Sequence, residues 1–131
     1  MHYDSTGFPQ EMPYDATCVI TSLGGLLADS ARSLLLAAVE DNQIVGTLGI
    51  QIATTFFTME FGARELFLYV KPEYRGRHAG VAMFKIAEMW AKERGATTIV
   101  IGNHPLSPPH VAETYIRHGY REAQTDFIKR I

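Results

Sequence analysis

Cysteine is almost missing from this chain: Cys18 is the single one in 131 residues. One thiol excludes an internal disulfide, and such sparing use fits a reducing compartment, so a cytoplasmic location is expected. Cys18 lies in an apolar helical pattern without the cationic neighbours that activate a nucleophile, and a small buried hydrophobe is expected there. No run of about 18 apolar residues occurs, so no membrane-spanning helix is expected. The opening residues, Met1-His2-Tyr3-Asp4-Ser5, have neither a basic n-region nor an apolar h-region, which speaks against a signal peptide. An excess of one charge is also lacking: 12 Lys+Arg face 14 Asp+Glu. The basic residues are scattered, which disfavours nucleic acid as a partner. Metal-ligand spacing is absent as well. His104, His110 and His118 lie in or after a proline-rich loop without H-x₃-H or cysteine partners, so no metal is expected. His104 and His110 are loop surface or substrate contacts. No repeat or low-complexity tract interrupts the chain.

What is present suits one domain over 1–131 with a core that needs no staples: 47% of residues are apolar and 20% charged. Residues 1–14 read as an irregular arm. Asp15 is a plausible N-cap for a helix of about 16–29 with Val19, Leu23, Leu26 and Leu27 on one face. Gly24 and Gly25 each cost that helix about 1 kcal/mol relative to alanine. Leu34–Glu40 and Ile44–Ala53, joined by Asp41-Asn42-Gln43, read as an antiparallel hairpin. After a loop near Phe56–Gly62, Glu65–Val70 is a third strand closed by Pro72. The loop aromatics Phe56 and Phe57 line an acceptor pocket or mark a subunit contact. A strong helix starts near His78, with Met83, Phe84, Ala87, Trp90 and Ala91 on its apolar face, and stops at Gly95. Thr97–Ile101 is a fourth strand, and the strand–helix–strand unit implies parallel pairing. Ser107-Pro108 suggests an N-cap and first helical residue for a short helix, Val111–His118. Gln124–Ile131 reads as a last strand, whose exposed edge invites pairing with a second copy. The fold class is a mixed α/β sheet.

The most informative segment is Arg75-Gly76-Arg77-His78-Ala79-Gly80, a turn between an apolar strand and a helix. Such a turn presents bare N–H groups at the positive end of a helix dipole, a setting suited to phosphate. A dinucleotide fingerprint needs G-x-G-x-x-G in serial β-α-β units, whereas here Gly76 and Gly80 follow a meander. The pattern G-x-x-x-x-G-K-[ST] is absent.

The pattern R-x-x-G-x-[GA] after a strand ending L-Y-V-x-P fits better. It spans Leu68-Tyr69-Val70-Lys71-Pro72-Glu73-Tyr74-Arg75-Gly76-Arg77-His78-Ala79-Gly80-Val81-Ala82 and resembles the phosphopantetheine signature of the GNAT N-acetyltransferases. Ala112-Glu113-Thr114-Tyr115-Ile116-Arg117-His118-Gly119-Tyr120 is similar to the family's A-x-x-x-Y…G-[FY] segment. The resemblance covers about residues 15–131. His78 departs from it by standing where the family usually has glycine, at a cost of about 1–2 kcal/mol if its φ is positive and little if it is the first helical residue. The family's earliest strand and helix are also hard to find.

The resemblance implies a GNAT fold and acetyl-coenzyme A as donor. It implies that the third and fourth strands splay apart and that the pantetheine arm enters between them beside Leu68, Tyr69 and Val70. The pyrophosphate then rests on the amides of Arg75, Gly76, Arg77, His78, Ala79, Gly80 and Val81, with the Arg75 and Arg77 side chains near the phosphates. Tyr115 is the candidate acid beside the cofactor sulfur, or else a half-buried core aromatic. Glu65, with Glu60 behind it, is the obvious carboxylate for a base, or else a solvated residue at the strand's start. Period 2 places Glu65 on one face with Phe67 and Tyr69. Asn103, just past the parallel strand, is a cofactor contact or a turn residue. The function expected is acetyl transfer to an amine on a small molecule or protein, by direct attack in a ternary complex. An inactive coenzyme A-binding adaptor is the alternative, and a small interaction domain without nucleotide is a third.

Overall fold

The computed structural model describes residues 12–131. Residues 1–11 of the expected arm lie outside them, and 12–14 carry no regular structure. Chain order is α1 (Ala16–Ala28), β1 (Ser33–Glu40), β2 (Gln43–Thr54), β3 (Phe61–Val70), α2 (Ala79–Glu93), β4 (Ala96–Val100) and α3 (Pro109–Arg117), with a 3-10 turn at Pro72–Tyr74. Thr17–Gly102 is one compact unit, and Asn103–Ile131 belongs to a second.

In the first unit a four-stranded sheet runs β1-β2-β3-β4, antiparallel until the parallel β3–β4 pair. The first hairpin is tighter than the three-residue turn expected. Asp41 and Asn42 both adopt positive φ, 51° and 60°, the geometry that matches the twist of paired strands, and Gln43 already pairs with Glu40. All five apolar-face residues of α2, from Met83 to Ala91, are buried and pack on Val45, Leu48, Ile50, Ile52 and Ala63. Gly95, at φ 81°, ends the helix with its N–H on the Lys92 carbonyl. In α1, Val19, Leu23 and Leu26 are half-buried, but Leu27 is exposed, 100° around the helix from Leu26. Cys18 is exposed too, against the expectation of a buried thiol, because the apolar stripe of α1 passes it by.

In the second unit α3 begins at Pro109 with Pro108 as N-cap, one residue later than Ser107-Pro108 suggested, and Gly119 (φ 89°) follows its end. The last strand expected, Gln124–Ile131, does not form among the described residues. Its residues carry no ladder pairing and are exposed. Alternating apolar residues favour extended chain, but a strand exists only with a hydrogen-bonded neighbour.

Candidate active site

Strand β3 changes character halfway. Its pairing with β4 runs from Phe61↔Ala96 to Arg64↔Val100 and stops, while β3 continues to Val70. Residues 65–70 therefore have β2 on one edge and, among the described residues, no strand on the other. The backbone polarity of this open edge follows from the β2 ladder. Lys71 N–H donates to Val45 O at 2.8 Å, so the pairs alternate from there, and Val70↔Gly46 and Leu68↔Leu48 are non-hydrogen-bonded. The amides and carbonyls of Leu68 and Val70 thus face the open side. Arg75 Nε takes the Val70 carbonyl at 2.9 Å.

A bulge accompanies the opening. Gly49 pairs with Phe67 and Ile50 with Glu65, leaving Leu66 as the extra residue. A Cβ on Gly49 would meet the Phe67 ring at 2.6 Å, so any side chain opposite the bulge would have to displace that ring. The bulge also corrects the face assigned to Glu65. Cross-strand partners share a face, and Ile50 and Gly49 point to opposite faces. Glu65 therefore lies on the α2 side with Ala63 and Leu68, opposite Phe67 and Tyr69. Nor is it a solvated residue at a strand's start, because β3 begins at Phe61 and Glu65 is half-buried.

The Glu65 carboxylate reaches across the opening. Its Oε2 accepts the N–H of Gly102 at 2.9 Å, two residues beyond β4. Burial pushes this carboxyl up to about 7 from an ordinary 4.5, against the opposing pull of the Gly102 N–H and the Arg64 charge. Glu60 is spent elsewhere: it is exposed and accepts a hydrogen bond from Thr97 Oγ1 at 2.9 Å.

At the far end of β3 the phosphate turn takes shape. Gly76 has φ 78° and open space around its Cα, and His78, at φ 67°, is the N-cap of α2. His78 is outside the helix proper, so its left-handed backbone costs about 1–2 kcal/mol. Among the described residues, the amides of 76–81 donate to no backbone carbonyl outside the helix. Arg75 lies over the Tyr69 ring at 5.9 Å, and Arg77 over Tyr74 at 5.1 Å with its Nη1 2.9 Å from Glu40 Oε1. Both arginines are thus held by two contacts each at the rim of a row of free amides. An open strand edge leading to such a turn fits a long, phosphate-bearing cofactor.

In the second unit Asn103 is exposed at the start of the loop before α3. Tyr115 is half-buried in α3, its ring 5.8 Å from that of Tyr120. Phe56 and Phe57, on the β2–β3 loop, are 93% and 91% exposed and meet edge to face at 5.0 Å. Sequence reasoning missed Gly102, Gly49 and Glu40. A glycine inside a strand signals a bulge, so Gly49 carried a legible clue; the other two depend on long-range contacts.

The sequence model of the Acetyltransferase (GNAT) family matches residues 3–120. The chain belongs to the GNAT acetyltransferases. That family uses acetyl-coenzyme A. Solved structures agree in fold. AAC(6')-Iy, determined with the bisubstrate analogue CoA-S-monomethyl-acetylneamine, is 13% identical with a TM-score of 0.76, over 94% of this chain and 85% of that one. The aminoglycoside antibiotic 6'-N-acetyltransferase AAC(6')-IG from Acinetobacter haemolyticus is 20% identical with a TM-score of 0.71, over 98% and 91%. A transcriptional regulator from Bacillus halodurans C-125 is 16% identical with a TM-score of 0.77, over 100% and 95%. No curated protein matches the sequence. No helix among the described residues of this GNAT chain is long and apolar enough to cross a membrane.

Proposed function

We propose that this chain is an N-acetyltransferase that moves an acetyl group from acetyl-coenzyme A to a primary amine. The observation that carries the reading is a desolvated carboxyl, Glu65, beside an open strand edge that leads to a turn of free amides. The open N–H and carbonyl of Leu68 would hold the pantetheine arm, with the Val70 N–H beside it. The amides of Gly76 to Val81 would hold the pyrophosphate, with Arg75 and Arg77 at the rim. Bound there, the cofactor supplies an acetyl thioester.

The chain's own groups handle protons. A free lysine amine has a pKa of about 10.4, so an acceptor arrives mostly charged at neutral pH. Glu65 takes a proton from that amine, and a carboxyl poised near 7 suits the task because its charged and neutral forms are both accessible. The amine would then form the C–N bond as the C–S bond breaks. The Val70 N–H would polarise the carbonyl, the Tyr115 hydroxyl would give a proton to the departing sulfur, and the second proton that the nitrogen sheds on becoming an amide would restore that hydroxyl. Asn103 is a further contact in this reading.

Aminoglycosides are the first acceptor class to test, because two of the structural neighbours are named for them. The test has two stages. Acetyl-coenzyme A at about 100 times its Kd should stabilise the fold by about 2.7 kcal/mol. Thiol release with a panel of aminoglycosides, polyamines and peptide amines should then give turnover with at least one. Stabilisation without turnover on any amine would favour an inactive coenzyme A-binding adaptor; no stabilisation at millimolar ligand would overturn both readings.

A further inference from the structure

The contact between Glu65 and Gly102 occupies the place where a backbone rung would otherwise form. The parallel ladder ends at Arg64↔Val100, and the next chain segments, Glu65 onward and Ile101-Gly102, stand side by side without pairing. Neighbouring strands in a ladder lie about 4.8 Å apart. Here the gap is spanned by a carboxylate on one side and a bare amide on the other, at 2.9 Å. Each group satisfies the other. Gly102 has left the strand and its N–H donates to no backbone carbonyl among the described residues. Glu65 is half-buried, where a carboxylate without a donor is costly.

We propose that Glu65 is also a positioning residue: by accepting the Gly102 N–H, its side chain braces the fork between β3 and β4 at a width a backbone rung would not allow. The inference deepens the proposed function, because it gives the carboxylate a duty in admitting the pantetheine arm apart from proton transfer. The bulge supplies the means. By inserting Leu66 it turns Glu65 out of phase with Phe67, just past the point where pairing with β4 ends. A brace needs only a hydrogen-bond acceptor of the right reach. A base needs a carboxylate. The two duties therefore respond differently to substitution.

The experiment compares Glu65→Gln, which keeps length and acceptor, with Glu65→Met, which keeps length and removes the acceptor. Methionine suits a desolvated position, so the variant should fold. Two readouts are taken: exchange of the Gly102 amide by NMR in the free protein, and Kd for coenzyme A. In Glu65→Met, Gly102 exchange should speed up at least tenfold and the Kd should rise about tenfold. In Glu65→Gln, both should stay within about threefold of wild type while turnover collapses. Unchanged Gly102 exchange in Glu65→Met would overturn the brace, and so would equal loss of binding in both variants. Failure of the cofactor reading looks different: wild type would not bind coenzyme A, while the exchange comparison would still decide the brace.

Discussion

The two halves of β3 make an instructive pair. Residues 61–64 are bonded on both edges, to β2 and β4, and contribute the buried Ala63 to the core under α2. Residues 65–70 are laddered on one edge, and their second edge carries backbone groups outside any ladder, one of them the Val70 carbonyl that accepts from Arg75, together with a perturbed carboxyl and the approach to the phosphate turn. Local β-forming character does not explain the difference: Phe61-Gly62-Ala63-Arg64 is the weaker strand former, yet it is the half paired on both edges. What separates them is a single extra residue and the glycine opposite it. A sheet is inert where its ladder is complete; chemistry becomes available where the ladder is interrupted.

The most severe test of that contrast removes the carboxylate from the open half. Glu65→Gln should lower kcat/KM by a factor on the order of 10²–10⁴, the usual worth of a positioned base. Steady-state kinetics on an accepted amine checks it, and an unchanged rate would return Glu65 to a structural role. Tyr115→Phe should lower kcat by at least about tenfold with less than twofold effect on cofactor Kd, if its hydroxyl protonates the sulfur. The bulge should matter next. Gly49→Val places side-chain atoms where the Phe67 ring stands, and overpacking there should cost about 1–3 kcal/mol in chemical denaturation. A silent Gly49→Val would mean that the bulge is not held by that contact.

A pH effect sharpens the same contrast. Glu65 has a folded pKa raised to about 7 from 4.5, so the folded state binds the extra proton between those values. Stability should therefore fall as pH rises through that window and level off above about 7. Glu65→Gln, which cannot ionise, should gain on wild type across the same window, as melting curves would reveal. The smallest effect is expected at the turn. His78→Gly relieves a left-handed backbone but adds chain entropy, for a net gain of at most about 1 kcal/mol.

Most of the fold was legible because local signals agreed with the tertiary outcome. The apolar face of α2, the hairpin turn and the glycine stop at Gly95 each follow from period, turn chemistry or backbone freedom. The phosphate turn was legible for the same reason, as it is built from consecutive residues. The facing of Glu65 was not, because period-2 reasoning fails at a bulge, and a bulge is decided by two strands together. Gly102 and Glu40 carry no local mark at all; each earns notice only through a partner 37 residues away. The segment Gln124–Ile131 shows the converse, an alternating pattern without the neighbour that would make it a strand.

The central claim is that the open half of β3 and the turn after it are where the cofactor docks. Amide hydrogen exchange with and without acetyl-coenzyme A tests it residue by residue. New protection is expected at Leu68, Val70 and residues 76–81, with residues 61–64 unchanged. Protection spread evenly along β3, or none at residues 68–81, would contradict it.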